Sequence, residues 1–351
     1  MADDPGKQRV VVATPLSDEL SMYLVGALPE FDVVHRPDLL PPQRHGGDHA
    51  GDPAWSRTAD QEMAFEQLLD SATALFGVPG EKPAQLRRTV RSNPGLRWVH
   101  TMPAGGGSQV RAAGLTREEL DRVAFSTSAG VHAEPLAEFA LLGALAAAKT
   151  LPRLQEQQRQ HDWAPRWTMA LLAQQTVVVV GLGHIGRTTA AKFSALGCTV
   201  IGVHRRQVEA AVDRIVPVDA LRDIVATADV LVMTLPGTDS TEGLLDRSVL
   251  EAARPGLCVI NIGRGSTVDE DALVEALRSG RVGSAALDVF AREPLPADSP
   301  LWDMPQVLIS PHTASLHPQQ DRLITELFVR NARRFLAGDE LLNRVNTVEF
   351  Y

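Results

Sequence analysis

The sequence predicts an α/β protein with two doubly wound parallel-sheet domains, and three observations carry that reading. At 351 residues the chain exceeds one ordinary domain and suits two of roughly 150 residues each. Its first third alternates short apolar runs with helical stretches, the rhythm of βαβ units. Midway, the β-branched run TVVVV leads straight into GLGHIG and the helical stretch RTTAAKFSALG, as a buried parallel strand turning into a helix would.

In chain order, residues 9–13 (RVVVA) read as a buried strand, 18–28 as a helix, 31–36 as a strand, 59–70 as a helix, and 72–76 and 96–101 as strands. Residues 37–54, PDLLPPQRHGGDHAGDPA, break this rhythm and read as a solvated surface loop. His45, Asp48 and His49 in that loop lack rigid helical spacing, so no metal site is expected. Residues 134–149 (EPLAEFALLGALAAAK) form an Ala- and Leu-rich helix, with Pro135 early enough that its missing N–H is harmless. The helix is apolar nearly all round and is expected to be buried, in a core or against a second copy of the chain. A polar arm punctuated by tryptophans, residues 152–175, joins it to the glycine-rich turn.

Composition narrows the function. The 44% hydrophobic and 22% charged content is that of a soluble globular protein. With 34 Lys plus Arg against 43 Asp plus Glu, the formal charge of −9 argues against a nucleic-acid partner. Cys198 and Cys258 each sit in an apolar run, too few for a disulfide framework or a cysteine zinc site. The acidic start, a short apolar stretch behind it, and a longest near-apolar run of only residues 139–148 argue against a leader peptide or a bilayer span. A cytoplasmic protein with no membrane partner is expected.

The glycine turn carries the cofactor reading. In a dinucleotide fold the first glycine, Gly181, makes the tight turn, the second, Gly183, admits the pyrophosphate to backbone N–H groups, and the third, Gly186, lets helix and strand pack closely. His184 and Ile185 lie between them at the expected helix start. An NAD site should end its second strand in a carboxylate for the adenosine 2′-hydroxyl. Here CTVIGV ends in His204, Arg205 and Arg206. Two guanidiniums suit a 2′-phosphate through bidentate, charge-assisted hydrogen bonds. NADP(H) is therefore favoured, with NAD(H) the alternative if these are solvated surface charges.

Four further stretches follow in order: VLVMTLPGTDSTEGLL, CVINIGRGSTVDEDALVEAL, GSAALDVFAREPLP and SPLWDMPQVLISPHTA. With the glycine turn, these resemble the D-isomer-specific 2-hydroxyacid dehydrogenases, and within them the glyoxylate and hydroxypyruvate reductases. The likeness covers about residues 95–345. It implies two Rossmann/flavodoxin-like domains with the active site in the cleft between them. The substrate domain would comprise residues 1–129 and 314–351, and the dinucleotide domain residues 130–313.

The resemblance also implies roles. Arg264 would bind the substrate carboxylate and polarise the carbonyl. His312 would donate the proton as hydride arrives, and Glu293 would orient His312 and favour its charged form. Cofactor contacts are implied at Leu235, Pro236, Thr241 and Ile262, with Asp288 meeting the nicotinamide amide. Backbone N–H groups at Ala104, Gly105 and Gly106 would receive the carboxylate, although the glycine run extending to Gly107 departs from the family's single glycine. The expected protein reduces a small 2-oxo acid to the D-2-hydroxy acid and pairs as a homodimer through the cofactor domain. A nucleotide-sensing, corepressor-like binding protein on the same fold is the alternative.

Overall fold

The computed structural model describes residues 7–350, and the acidic start read above lies outside them. The chain divides into two compact units, Met1–His132 with Leu316–Tyr351, and Ala133–Ser315. Both are parallel-sheet α/β units.

The first unit is a five-stranded sheet in the order β2-β1-β3-β4-β5. Its strands are β1 (Gln8–Val12), β2 (Phe31–Val34), β3 (Ala74–Phe76), β4 (Trp98–Thr101) and β5 (Ala124–Thr127). Helices α1 (Asp18–Ala27), α2 (Ala59–Asp70), α3 (Pro83–Ser92), α4 (Gly107–Ala112) and α5 (Arg117–Arg122) make the connections. Local chemistry sets the ends: Thr58 and Gln61 cap α2 reciprocally, and Thr116 and Glu119 do the same for α5.

The unit's core buries Trp98, Phe76 and Phe125. Phe328, carried on the returning segment, stacks on Trp98 with centroids 4.5 Å apart and meets Phe76 edge-on at 5.1 Å. His100 sits wholly inside, with its two ring nitrogens against the hydroxyls of Ser126 (2.8 Å) and Ser128 (3.1 Å). Burial pushes this imidazole from its ordinary 6.5 down to about 3. The unfolded chain therefore takes up a proton below pH 6.5 that the folded chain refuses, so stability is full above that pH and falls as the solution is acidified. At pH 5 the expected loss is about 2 kcal/mol. Thermal melts between pH 5 and 7.5 check this: the slope of Tm against pH should flatten in His100→Gln, and equal slopes would count against it.

The loop at residues 37–54 lies at the surface, most of its residues exposed or half-buried, but it is anchored rather than merely solvated. Asp48 is buried and closes on Arg44 at 2.7 Å and on the N–H of Gly51 at 3.1 Å. His49 Nε2 pairs with Asp321 Oδ1 at 2.9 Å, and the Thr14 hydroxyl donates to the His49 carbonyl at 2.6 Å. Its polar side chains serve to dock the loop, which composition alone does not reveal.

The second unit is a seven-stranded sheet, β12-β11-β10-β9-β6-β7-β8. Helix α6 (Ala133–Ala148) and α7 (Leu151–Arg159) precede β6 (Thr176–Val180), which is followed by α8 (His184–Ala195), β7 (Thr199–Val203) and β8 (Arg214–Val216). Then come α9 (Leu221–Val225), β9 (Val230–Met233), α10 (Arg247–Ala252), β10 (Leu257–Asn261), α11 (Glu270–Arg278), β11 (Val282–Leu287) and β12 (Val307–Ile309). Helix α12 (Gln320–Ala337) belongs again to the first unit.

The four valines of β6 are wholly buried, as a central strand covered on both faces requires. Helix α6 lies so close to the sheet that a Cβ on Gly143 would stand 2.6 Å from the Cβ of Ala286. Burial of this helix is one-sided: Ala137, Ala140 and Ala144 face inward, while Leu142 and Leu145 remain 49% and 41% exposed. Both cysteines are buried and unpaired. No helix among the described residues is long and apolar enough to cross a membrane, and no group of three or more potential metal ligands gathers among them.

Candidate active site

The order of the second sheet reverses between β6 and β9, and open α/β sheets receive ligands at the carboxyl ends of such a pair. Gly181 follows β6 with φ of 95°, a backbone that L side chains rarely adopt. A Cβ at Gly186 would fall 1.8 Å from the Gly181 carbonyl oxygen, so the strand-to-helix turn closes only around glycine. Gly183 is different: nothing stands within 4 Å of where its Cβ would be. That open space at the start of α8, with the helix N–H groups behind it, is the cradle a pyrophosphate requires. His184 opens the helix, exposed like Gly183, and Ile185 is half-buried behind it. The hydroxyl of Thr234, just past β9, ties the two strand ends by donating to the carbonyls of Val180 (3.0 Å) and Gly181 (2.8 Å).

At the end of β7, His204 Nδ1 accepts the N–H of Leu182 at 3.3 Å, joining the basic strand end to the glycine turn. Burial and then the cations of Arg205, Arg187 and Arg206 hold His204 below the ordinary imidazole range. Three guanidiniums thus act on one ring, an electropositive corner suited to a phosphate. Arg187 went unread in the sequence, although a cation directly after the third glycine is a signal that could have found it.

Next to the turn, Leu235 lies 2.9 Å from where a Gly181 Cβ would be. The Thr241 hydroxyl donates to the Pro236 carbonyl at 2.6 Å and accepts the Thr238 N–H at 2.9 Å, so it staples the loop that follows β9. Ile262 is buried and gives its N–H to Met233 at 3.1 Å.

Beyond β10, Arg264 is fixed by its own backbone: its carbonyl accepts from Asn261 Nδ2 (3.0 Å) and the Thr267 hydroxyl (2.7 Å). Its Nη1 folds back onto the Gly263 carbonyl at 2.7 Å. Although solvent reaches the side chain, crowding of the guanidinium lowers its pKa, with Glu293 and Asp288 opposing that effect. Gly265 is obligatory here, because its Cβ would stand 1.9 Å from the carbonyl group of Phe290.

Glu293 spans two groups. Its Oε1 accepts the Phe290 N–H at 3.0 Å, and its Oε2 takes the Nδ1–H of His312 at 2.7 Å. His312 lies at φ of 54°, uncommon for a residue with a Cβ and a backbone state that recurs at functional sites. Buried Asp288 holds that state in place: one oxygen, Oδ1, accepts from the Ser310 hydroxyl (2.6 Å) and the N–H groups of Thr313 and Ala314 (3.0 Å each). Beside the pair opens a cavity of about 620 Å³ walled by Phe290, Pro294, Leu295, Trp302, Ile309 and Pro311. Both side chains of the pair remain open to solvent beside this apolar wall.

Ala104, Gly105 and Gly106 lie in the first unit, in the turn between β4 and α4. Gly106 gives its N–H to the Pro103 carbonyl at 3.2 Å, and its Cβ would fall 1.8 Å from the Thr101 hydroxyl. Asn261 and Ser310 do not stand out in the sequence as positioning groups, because a polar residue at the end of a strand looks like an ordinary strand terminus, and Thr267 looks like an ordinary turn residue.

A family model described as D-isomer specific 2-hydroxyacid dehydrogenase, NAD binding domain, matches residues 141–314. A glyoxylate/hydroxypyruvate reductase B of Pectobacterium carotovorum subsp. carotovorum is 34% identical over 222 residues, covering 62% of this chain and 69% of the relative. The chain belongs to the D-isomer specific 2-hydroxyacid dehydrogenase family. Within the family, a D-3-phosphoglycerate dehydrogenase of Mycobacterium leprae is 38% identical over 213 residues, 60% of this chain but only 40% of that longer relative. Among solved structures, a family member from Xanthobacter autotrophicus Py2, crystallised with NADPH and MES, superposes with a TM-score of 0.76 at 29% identity. That likeness covers 99% of this chain and 100% of the other.

Proposed function

We propose that this family member is a cytoplasmic NADPH-dependent reductase of small 2-oxo acids, glyoxylate and hydroxypyruvate foremost, yielding the D-2-hydroxy acid. The observation that carries this reading is the Glu293–His312 pair, closed at 2.7 Å on a loop that Asp288 pins. The carboxylate fixes the ring orientation and keeps the proton on Nδ1, so Nε2 is the nitrogen that delivers a proton to the carbonyl oxygen. Arg264, set by Asn261 and Thr267, offers a planar fork to the substrate carboxylate and stabilises the charge developing on the carbonyl. When bound, the reduced nicotinamide supplies the hydride. The chain's part is to cradle the pyrophosphate at Gly183, line the site with Leu235, Pro236 and Ile262, and present Asp288 to the nicotinamide amide.

Absorbance of the reduced cofactor, followed with a panel of 2-oxo acids, tests the reading. Turnover of glyoxylate or hydroxypyruvate is expected, and no turnover of any acid at high enzyme concentration would sink it in favour of a nucleotide-sensing binding protein.

Cofactor choice follows from the basic corner. Arg205→Ala with Arg206→Ala is expected to weaken NADPH by about tenfold to a hundredfold while changing NADH little, since two charge-assisted contacts to the 2′-phosphate are lost. Arg187→Ala should act in the same direction, more weakly. Equal losses for both cofactors, or a wild type preferring NADH, would overturn the NADP(H) assignment. The exposed Leu142, Leu145, Leu151, Leu154 and Trp163 of the second unit support a homodimer through this unit, which light scattering at micromolar concentration checks.

A further inference from the structure

The first unit holds a cavity of about 520 Å³ just past the carboxyl ends of β1 and β2, where α1 begins. Concave sites with mostly apolar walls and a few polar groups are where small molecules bind. Here Pro15, Pro37, Leu40, Pro41, Pro42 and Trp55 make the apolar wall. Of the polar lining, Ser17 caps α1, Asp38 pairs with Arg36 and Gln43 reaches Asp321, which leaves Asp18 and His35. All of these residues belong to the first unit, and none is part of the site built on the glycine turn, Arg264 and His312.

Neither group is engaged by the chain. His35 Nε2 is buried without a hydrogen-bond partner, a costly and uncommon state for a polar atom. Burial lowers the pKa of this ring against the opposing pull of the Asp18 carboxylate, so at neutral pH the imidazole is uncharged and one of its nitrogens can accept a hydrogen bond. The Asp18 side chain makes no ion pair or hydrogen bond among the described residues, yet it is close enough to act on His35. The cations at this edge are already matched. Arg36 closes on both oxygens of Asp38 at 2.8 and 2.6 Å, and Arg57, lying over the Trp55 ring at 5.5 Å, meets Glu62 at 3.2 Å. A negative charge and a hydrogen-bond acceptor are left over beside an apolar wall.

We propose that this cavity is a second ligand site, selective for a primary amine with an apolar or aromatic body. The ammonium carries three donors, enough to serve the Asp18 carboxylate and the free nitrogen of His35 together. The body of the ligand lies against the prolines and Trp55, where its apolar surface leaves water. An anionic ligand of the same shape meets Asp18 as a like charge, and a neutral alcohol forgoes the charge-assisted bond.

The test is calorimetric titration of the full chain at pH 7.5 with 2-phenylethylamine, 2-phenylethanol and phenylacetate, which share an aromatic body and differ in the charge of the head. The amine is expected to bind at one site with Kd of about 1 mM or tighter, and the alcohol and the acid at least about tenfold more weakly. Asp18→Asn, which keeps the shape of an exposed side chain and removes its charge, should weaken the amine about tenfold and leave the alcohol unchanged. His35→Phe should weaken the amine in the same direction by removing the acceptor. Circular dichroism checks folding, and if His35→Phe fails to fold, Asp18→Asn decides. The chain's net charge of −9 attracts any amine, so Glu19→Gln is the control: Glu19 is exposed on the same helix and does not line the cavity, and its loss should leave the affinity within about twofold. No binding of the amine, equal binding of amine and alcohol, an affinity unmoved in Asp18→Asn, or equal losses in Asp18→Asn and Glu19→Gln would each overturn the proposal. Because binding is read directly, the outcome is independent of whether any 2-oxo acid is turned over.

Discussion

Replacing His312 with alanine is expected to lower kcat by about 10²–10⁴-fold while NADPH binding, read by fluorescence, stays near that of the wild type. The imidazole is the group that Glu293 grips at 2.7 Å, and nothing in the glycine turn depends on it. A structural explanation must be separated, because His312 occupies the left-handed region at φ of 54°. Asparagine tolerates that region better than alanine and carries no comparable acid. Equal rate losses in His312→Ala and His312→Asn assign the effect to lost proton chemistry, whereas recovery in the asparagine variant would assign it to the backbone. Glu293→Gln keeps a hydrogen-bond acceptor for Nδ1 but removes the charge, so its loss should be smaller than that of His312→Ala. A near-normal rate in His312→Ala would remove the residue from its role.

The second large effect is expected from a single methyl group. Gly265→Ala would place a Cβ 1.9 Å from the carbonyl carbon and oxygen of Phe290 and 2.5 Å from the Ala291 nitrogen. Backbone cannot swing aside as a side chain can, so either the turn carrying Arg264 or the segment carrying Glu293 must shift. The expected cost is about 3 kcal/mol, roughly 6–12 °C in Tm. Activity should fall further than stability explains, because the Phe290 N–H that holds Glu293 Oε1 moves with the displaced segment. Gly46→Ala is the control: its Cβ meets nothing within 4 Å and its backbone is not left-handed, so a change within about 0.5 kcal/mol is expected. A Gly265→Ala variant with wild-type Tm and rate would show that the two turns do not constrain each other.

Much of this was legible in the amino-acid order because the chemistry is local there. The strand-to-helix turn at Gly181 and Gly186 demands residue types at fixed spacing, and the runs around Arg264, Glu293 and His312 each announce a loop after a strand. Contacts between distant segments were not legible. His49 pairs with Asp321 across 272 positions, and the loop at residues 37–54 could not show that it docks. Asn261 and Ser310 steer Arg264 and His312 from strand ends whose polarity has an ordinary explanation. The helix at Ala133–Ala148 read as apolar all round because alanines hide which side carries the larger residues.

The return of α12 to the first unit has a consequence for biogenesis. Phe328 supplies the ring that stacks on Trp98, and Asp321 grips the loop at residues 37–54, so the first unit lacks part of its interior until the last 36 residues, 316–351, leave the ribosome. The second unit, Ala133–Ser315, is one uninterrupted stretch and has everything it packs with once it emerges. Domains usually mature from the amino terminus onward. In this chain the expected order is different: residues 133–315 can complete their own packing while the first unit waits for the segment from 316 onward.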